Sequence, residues 1–102
     1  MINAPGAKSM AARLTAVAAL LLLAACAGAP VQEMSDARQA IQAAEEAGAR
    51  EHAPGALSDA QRLLTSAEQK LQIKAYSGAR HDAREARRRA AEALRASRVD
   101  EN

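Results

Sequence analysis

The fold is decided by the stretch from Pro54 to Ala93, which reads PGALSDAQRLLTSAEQKLQIKAYSGARHDAREARRRAAEA. In its first part, apolar residues recur at steps of three and four: Leu57, Ala60, Leu64, Ala67 and Leu71. In its second part they recur in the same way but two positions out of step: Tyr76, Ala79, Ala83, Ala86, Ala90 and Ala93. In one straight helix, this slip would put the two apolar stripes about 200° apart. The stretch therefore predicts two helices joined by a turn near Ile73–Gly78, and a single long helix is the alternative.

A further helix is predicted upstream, from about Met34 to Gly48. Its apolar stripe has helical spacing and comprises Met34, Ala37, Ile41 and Ala44. Ser35 or Asp36 is expected to cap its start, and Gly48 stands where glycine commonly ends a helix. Because Pro54 lacks an N–H group, it interrupts the helical stretch there and suits the first turn of the next helix.

The composition favours the same fold class. Of the 102 residues 29 are alanine, and the chain has one tyrosine but no phenylalanine or tryptophan. The branched and aromatic residues that fill a β-sheet core are scarce, whereas Ala, Leu, Glu, Gln and Arg favour helices. We therefore expect an all-α domain at residues 34–99, either a small three-helix bundle or a helical hairpin with a short leading helix. Because large apolar side chains are few, the domain should be only marginally stable.

The beginning of the chain has the pattern of an export signal. Arg13 precedes an apolar run, Leu14 to Ala25. This run is shorter than the roughly 20 residues that a membrane-spanning helix needs, and it fits the apolar region of a signal peptide. It ends in Leu23-Ala24-Ala25-Cys26, which resembles the bacterial lipobox. Residues 1–25 are therefore predicted to be a lipoprotein signal peptide that starts at Met1 or Met10.

The lipobox resemblance implies a membrane anchor. It implies cleavage before Cys26, diacylation of the Cys26 thiol and acylation of the new amino group, so a covalent lipid is expected and no other cofactor. Residues 26–33 then form the lipidated cysteine and a short tether. Gly28 stands two positions after the cysteine, where an aspartate would imply retention at the inner membrane; its absence implies the outer membrane, facing the periplasm.

A longer segment is similar to a known family. Residues 40–57 read AIQAAEEAGAREHAPGAL, and the similarity continues through Ala60, Leu64, Ala67, Tyr76, Ala79, Ala83 and Ala86. It is similar to a family of short bacterial envelope proteins that carry the domain of unknown function 4398, and it covers roughly residues 33–98. The resemblance implies small helical lipoproteins, or modules attached to peptidoglycan-binding proteins of the outer membrane, and no activity. This chain has Lys74-Ala75 where the family usually has Gly-Asp before the tyrosine.

Charge is unevenly distributed along the exported part of the chain. Residues 26–102 hold 12 basic and 12 acidic side chains, with the acidic excess before residue 60 and the basic excess after it. An acidic first helix is expected to pair with a basic last helix, or the last helix to present a basic face to anions. Its candidate anion or partner contacts are Arg80, Arg84, Arg87 and Arg95, with Arg98 on the same side. The alternative is a solvated face with pairs such as Glu85–Arg89.

The chain lacks the patterns of most chemistries. His52 and His81 have no neighbouring cysteine at metal-ligand spacing, no serine stands in a base constellation, and no glycine-rich phosphate loop occurs. We therefore expect no enzyme, no metal and no small-molecule substrate, and no nucleic-acid partner because the chain is exported. The predicted function is a lipid-anchored envelope protein with a structural or adaptor role, through a protein partner or self-association. The alternative is a module that binds a membrane or peptidoglycan surface by charge.

Overall fold

In the computed structural model, residues 12–19 and 28–101 are described, and all regular structure within them is helical. Helix α1 covers residues 12–19. The other helices are α2 (Val31–Glu46), α3 (Ala49–His52), α4 (Pro54–Gln72) and α5 (Tyr76–Glu101). The predicted all-α fold is confirmed, and the three long helices α2, α4 and α5 form the bundle.

Helix α2 begins earlier than its apolar stripe alone predicts. It starts at Val31. Pro30 occupies the N-cap position, and no side chain makes a capping hydrogen bond there. Ser35 and Asp36 lie inside the helix, so the expectation that one of them caps its start is wrong. The helix therefore includes Val31, Gln32 and Glu33 of the predicted tether, and the buried Pro30 stands just before its first residue.

The predicted break between the first two long helices contains a short helix of its own. Gly48 adopts a left-handed conformation with φ of 87°, and its N–H donates to the carbonyl oxygen of Glu45 at 3.0 Å. Helix α3 follows directly, and His52 is its last residue. Pro54 is in the first turn of α4, as predicted.

The predicted turn between α4 and α5 is confirmed. Lys74 adopts a left-handed conformation with φ of 61°. Its N–H donates to the carbonyl oxygen of Leu71 at 3.0 Å, and the N–H of Ala75 donates to that of Lys70 at 2.8 Å. These two bonds form a Schellman motif, which ends the helix and satisfies carbonyl groups of its last turn. The long-helix alternative is therefore wrong.

The three long helices bury their predicted stripes against one another. Helix α5 packs against both α2 and α4, runs parallel to α2, and is antiparallel to α4. One core cluster joins Met34 and Ala37 to Ala67, Ala83 and Ala86. The other core cluster comprises Ile41, Ala44, Ala49, Leu57, Ala60, Ala90 and Ala93. Five alanines of α5 are fully buried, so the backbones of the three helices approach closely: Ala79, Ala83, Ala86, Ala90 and Ala93.

Most of the predicted signal segment lies outside the described residues. This applies to Leu23, Ala24, Ala25 and Cys26, so the cleavage motif and the lipidation site stay predictions. Helix α1 falls within the segment, and its Leu14 and Val17 are exposed. Within the described ranges, no helix combines the length and apolar character that crossing a bilayer requires.

Candidate functional site

The outer side of α5, opposite its buried alanines, carries a row of exposed arginines. We call this set the arginine stripe: Arg84, Arg87, Arg88, Arg95 and Arg98. Their separations of three, four and seven residues keep them within about 100° of the helix circumference. The structure thus brings three of the predicted contact residues, Arg84, Arg87 and Arg95, onto one exposed surface.

Arg80, the fourth predicted contact residue, lies at the interface between α2 and α5. Its side chain is 26 % exposed, and its Nε lies 3.5 Å from Oε1 of Glu33. Its Nη2 also donates to the carbonyl oxygen of Gly28 at 3.5 Å. Nη2 of Arg84 is 3.7 Å from the same Glu33 oxygen, but the Arg84 side chain remains mostly exposed. Arg80 therefore pairs within the bundle, which is the predicted pairing of the acidic first helix with the basic last helix.

The arginines of α5 differ in how far nearby carboxylates neutralise them. Arg88 pairs with Glu85, and Arg89 bridges Asp59 and Glu92 at 2.9 Å from each. The predicted pair Glu85–Arg89 is therefore wrong, because Arg89 turns towards α4. The other three members of the stripe, Arg87, Arg95 and Arg98, form no ion pair with any residue between 28 and 99.

Two shallow, open depressions lie along the stripe. The first is lined by Gln32, Glu33, Asp36, Arg84 and Arg87, between α2 and α5. The second is lined by Arg84, Arg87, Arg88 and Ala91. Ala91 is the small residue in the middle of the stripe, so guanidinium groups surround a low point of the surface. This shape suits contact with an extended anionic surface, because each guanidinium can bind a carboxylate or phosphate through two hydrogen bonds.

A buried polar cluster joins α4 to α5 on another side of the bundle. Asp82 is buried, with 6 % of the residue exposed. Its Oδ2 accepts hydrogen bonds from Oγ of Ser66 at 2.6 Å and from Nζ of Lys70 at 2.7 Å. Burial acts to raise the pKa of Asp82, but these hydrogen bonds, with the charges of Lys70 and His81, lower it below its ordinary value of 3.8. The cluster thus holds an ionised carboxylate whose Oδ2 is bonded to two side chains of α4, and these bonds connect α4 to α5.

This cluster is absent from the predictions made from the sequence, although Gly78 indicates it. A Cβ atom at Gly78 would lie 3.1 Å from Cδ of Lys70, so the aliphatic chain of Lys70 crosses α5 where that helix has no side chain. A glycine near the start of an alanine-rich helix, one turn before an aspartate, was the available sign. Its meaning depends on the register of α4 against α5, which one helix alone does not reveal.

The two histidines and the tyrosine of the chain lie outside both the arginine stripe and the hydrogen bonds of the Asp82 cluster. His52 and His81 are both exposed, and Tyr76 is half-buried at the start of α5. Across the described part of the chain, no three His, Cys, Asp or Glu side chains converge in a way that could hold a metal ion.

The comparisons with known proteins give one family. Residues 32–101 match the model of a domain of unknown function, DUF4398. No curated protein and no solved structure matches the chain. The matched segment covers α2 to α5, which means the whole bundle together with the arginine stripe and the Asp82 cluster. The chain therefore belongs to the DUF4398 family.

Proposed function

We propose that this protein is a lipid-anchored adaptor of the bacterial cell envelope and that its arginine stripe binds the partner. The lipid would be attached to Cys26 after removal of residues 1–25, and the outer membrane is the expected location. The observation that carries the adaptor role is the set of exposed guanidinium groups of Arg87, Arg95 and Arg98, which form no ion pair with any residue between 28 and 99. The partner of such a surface would be an acidic envelope protein.

The residue type on α5 supports recognition of carboxylate or phosphate. The helix contains seven arginines and no lysine. Lysine would keep a solvated helix equally charged, whereas arginine adds a planar fork that binds oxyanions through two hydrogen bonds. The second candidate function, charge-mediated binding to a membrane or peptidoglycan surface, draws on the same guanidinium groups and on the shallow shape of the depressions.

Photo-crosslinking in cells would separate the two candidates. A photoreactive amino acid is placed at position 95 of the full-length protein, and a matched control carries it at Gln42, which is exposed on α2. We expect a reproducible protein adduct from position 95 that is absent from position 42. Adducts with lipid or glycan alone would support the surface-binding function, and equal protein adducts from both positions would contradict a specific role for the stripe.

A charge variant adds an independent measure. For this variant the photoreactive amino acid is moved to position 84 of the same stripe, where we expect the same protein adduct. Substituting both Arg87→Gln and Arg95→Gln should abolish this adduct, because the partner would lose two of its guanidinium contacts. Arg62→Gln is the matched control, since Arg62 is an exposed arginine on α4 whose nearest acid is Asp59 at 3.5 Å. Loss of the adduct in both variants would point to net charge and not to the stripe.

The anchor is tested separately. Cys26→Ala should abolish labelling by palmitate and retention of the protein in the membrane fraction. Unchanged labelling of this variant would refute the lipid anchor and leave the adaptor surface to be judged by the crosslinks alone.

A further inference from the structure

One end of the bundle collects the start of α2, the end of α4 and the start of α5. We call it the anchor end and define it as Gly28–Val31 together with Ile73–Tyr76. The three segments meet there because α2 and α5 run parallel while α4 runs the opposite way. At the other end of the bundle lie the α2–α4 connection and the last residues of α5.

The chain that leaves the anchor end towards Cys26 is held against the bundle. The carbonyl oxygen of Gly28 accepts a hydrogen bond from Arg80, and a Cβ atom at Gly28 would lie 3.9 Å from Cε2 of Tyr76. Pro30 is fully buried. Gly28 is two residues from Cys26, a distance of at most about 7 Å along an extended chain. A lipid on Cys26 would therefore bring the anchor end to within one or two residues of the bilayer.

The anchor end exposes apolar side chains next to a cation and an aromatic ring. Val31 is 71 % exposed and Ile73 is 75 % exposed, and Val99 at the far end is the third large exposed hydrophobic residue between 28 and 99. Lys74 follows Ile73 in the turn and is exposed, and Tyr76 is half-buried beside it. An apolar tip with lysine and tyrosine is the composition found at membrane–water interfaces, where the polar ends reach the headgroups.

Charge at the anchor end does not oppose contact with anionic lipid. The Glu33 carboxylate lies beside two arginines, Arg80 and Arg84. The Asp82 carboxylate is bonded to Lys70. Lys74 makes no ion pair with another residue in the described ranges, so its ammonium group remains for a lipid phosphate.

We propose that the anchor end is a second membrane contact, in which Ile73 and Val31 enter the headgroup region and Lys74 binds lipid phosphate. This proposal rests on the proposed lipidation of Cys26. An apolar tip on the protein adds to the acyl chains and orients the domain, because the two attachments are made at the same end. The bundle then stands on the membrane by its end.

This orientation places the arginine stripe away from the anchoring membrane. Arg84 is eight residues and Arg98 is 22 residues beyond Tyr76, so they lie about 12 Å and about 33 Å further along α5. Both distances exceed the Debye length of about 8 Å at physiological ionic strength. The stripe is thus directed at a partner in the periplasmic space, which favours the adaptor function over binding to the membrane that holds the anchor.

Single-tryptophan variants test the orientation, since the natural chain contains no tryptophan. The full-length lipidated protein is reconstituted in vesicles of phosphatidylethanolamine and phosphatidylglycerol whose acyl chains are brominated or unmodified. Ile73→Trp is compared with Val99→Trp, a matched control with nearly the same exposure at the far end. We expect bromine to quench the Ile73→Trp variant at least about twofold more strongly, because burial to about 5–10 Å reaches the acyl boundary.

The outcomes distinguish this proposal from the lipid anchor. A protein that does not float with the vesicles refutes the anchor and the contact that rests on it. Flotation with the Ile73→Trp emission unquenched overturns the membrane contact and leaves the anchor intact. Equal quenching of both variants means that the bundle lies flat on the membrane, which also overturns the end-on orientation. Circular dichroism of both variants verifies that the exposed substitutions leave the helices in place.

Discussion

Lys74 is the one described residue other than glycine with a positive φ, a conformation that glycine adopts at no steric cost. A left-handed conformation costs a residue with a Cβ atom about 1–2 kcal/mol. The Schellman hydrogen bonds of Lys74 and Ala75 require this conformation, so the folded state of the protein is destabilised by this free energy. We expect Lys74→Gly to raise the free energy of unfolding by about 1 kcal/mol, measured by urea denaturation.

Gly48 provides the reverse experiment, because it has the same backbone conformation and already is a glycine. Gly48→Ala should lower the free energy of unfolding by about 1–2 kcal/mol. A Cβ atom there would also lie only 3.2 Å from Cδ2 of His52. If Lys74→Gly and Gly48→Ala shift stability in the same direction, the left-handed conformation is not what controls these turns.

Asp82 should make the stability of the domain depend on acid. Its pKa is lowered in the folded state, so its contribution is complete above the unfolded value of about 4 and is lost as the pH falls through the folded value. We expect Asp82→Asn to lower the free energy of unfolding at pH 7 by about 1–2 kcal/mol, less than for a fully buried pair because Lys70 is 41 % exposed.

The measurement for Asp82 is a series of urea denaturations between pH 7 and pH 2. The difference between the natural chain and Asp82→Asn should shrink as the pH falls, because both side chains are then uncharged. Glu46→Gln is the matched control, since Glu46 is an exposed carboxylate on α2 that accepts one hydrogen bond from Gln42. A difference that stays constant down to pH 2 would rule out the ionised cluster as its origin.

At the scale of the helix, α5 depends on the small size of its buried residues. Ala86 is fully buried between α2 and α4, where Met34, Ala37 and Ala67 surround it. A larger side chain has no space to occupy and must force helices apart, which costs about 1–3 kcal/mol or more. We therefore expect Ala86→Leu to lower the melting temperature measured by circular dichroism.

Ala96→Leu is the control for this overpacking, because Ala96 is exposed on the same helix. Both substitutions replace alanine by leucine in α5, so both change the helix propensity by the same amount. The control should change stability by no more than about 0.5 kcal/mol. Equal losses from Ala86→Leu and Ala96→Leu would mean that close approach of the helices does not limit the core.

Periodicity in the sequence predicted the buried side of each long helix, because the side of a helix that carries the apolar residues is the side that packs against the core. It predicted Met34 and Ala37 in α2, and in α5 it predicted Ala79, Ala83, Ala86, Ala90 and Ala93. The slip of two positions also predicted the turn at Ile73. These features depend on residues close together in the chain, and for that reason one sequence was sufficient.

Features that depend on how two helices meet were not predictable in the same way. The bond between Lys70 and Asp82, and the choice of Asp59 over Glu85 by Arg89, follow from the register of α4 against α5. Short-range signals also gave one wrong result, since Ser35 and Asp36 resemble caps but lie inside α2. The arginine side of α5 was predicted from its spacing, whereas the inward position of Arg80 required the contact with Glu33.

For the molecule as a whole, the small number of large buried side chains determines how much damage one substitution does. A folded region of about 70 residues is stable by about 4–10 kcal/mol, at about 0.05–0.15 kcal/mol per residue. Among the described residues, Met34 is the largest fully buried side chain, and truncating a buried methionine to alanine costs about 2–5 kcal/mol. Met34→Ala should therefore remove a large part of the total stability.

The expected result for Met34→Ala is a melting temperature lower by more than about 10 °C, because each kcal/mol corresponds to about 4–8 °C in a domain of this size. Val31→Ala is the matched control, one turn earlier on α2 and mostly exposed, and it should shift the melting temperature little. If both variants had the same melting temperature, alanine packing and helix hydrogen bonds would have to supply nearly all the stability. That outcome would contradict the large contribution to stability that we expect from the buried Met34 side chain.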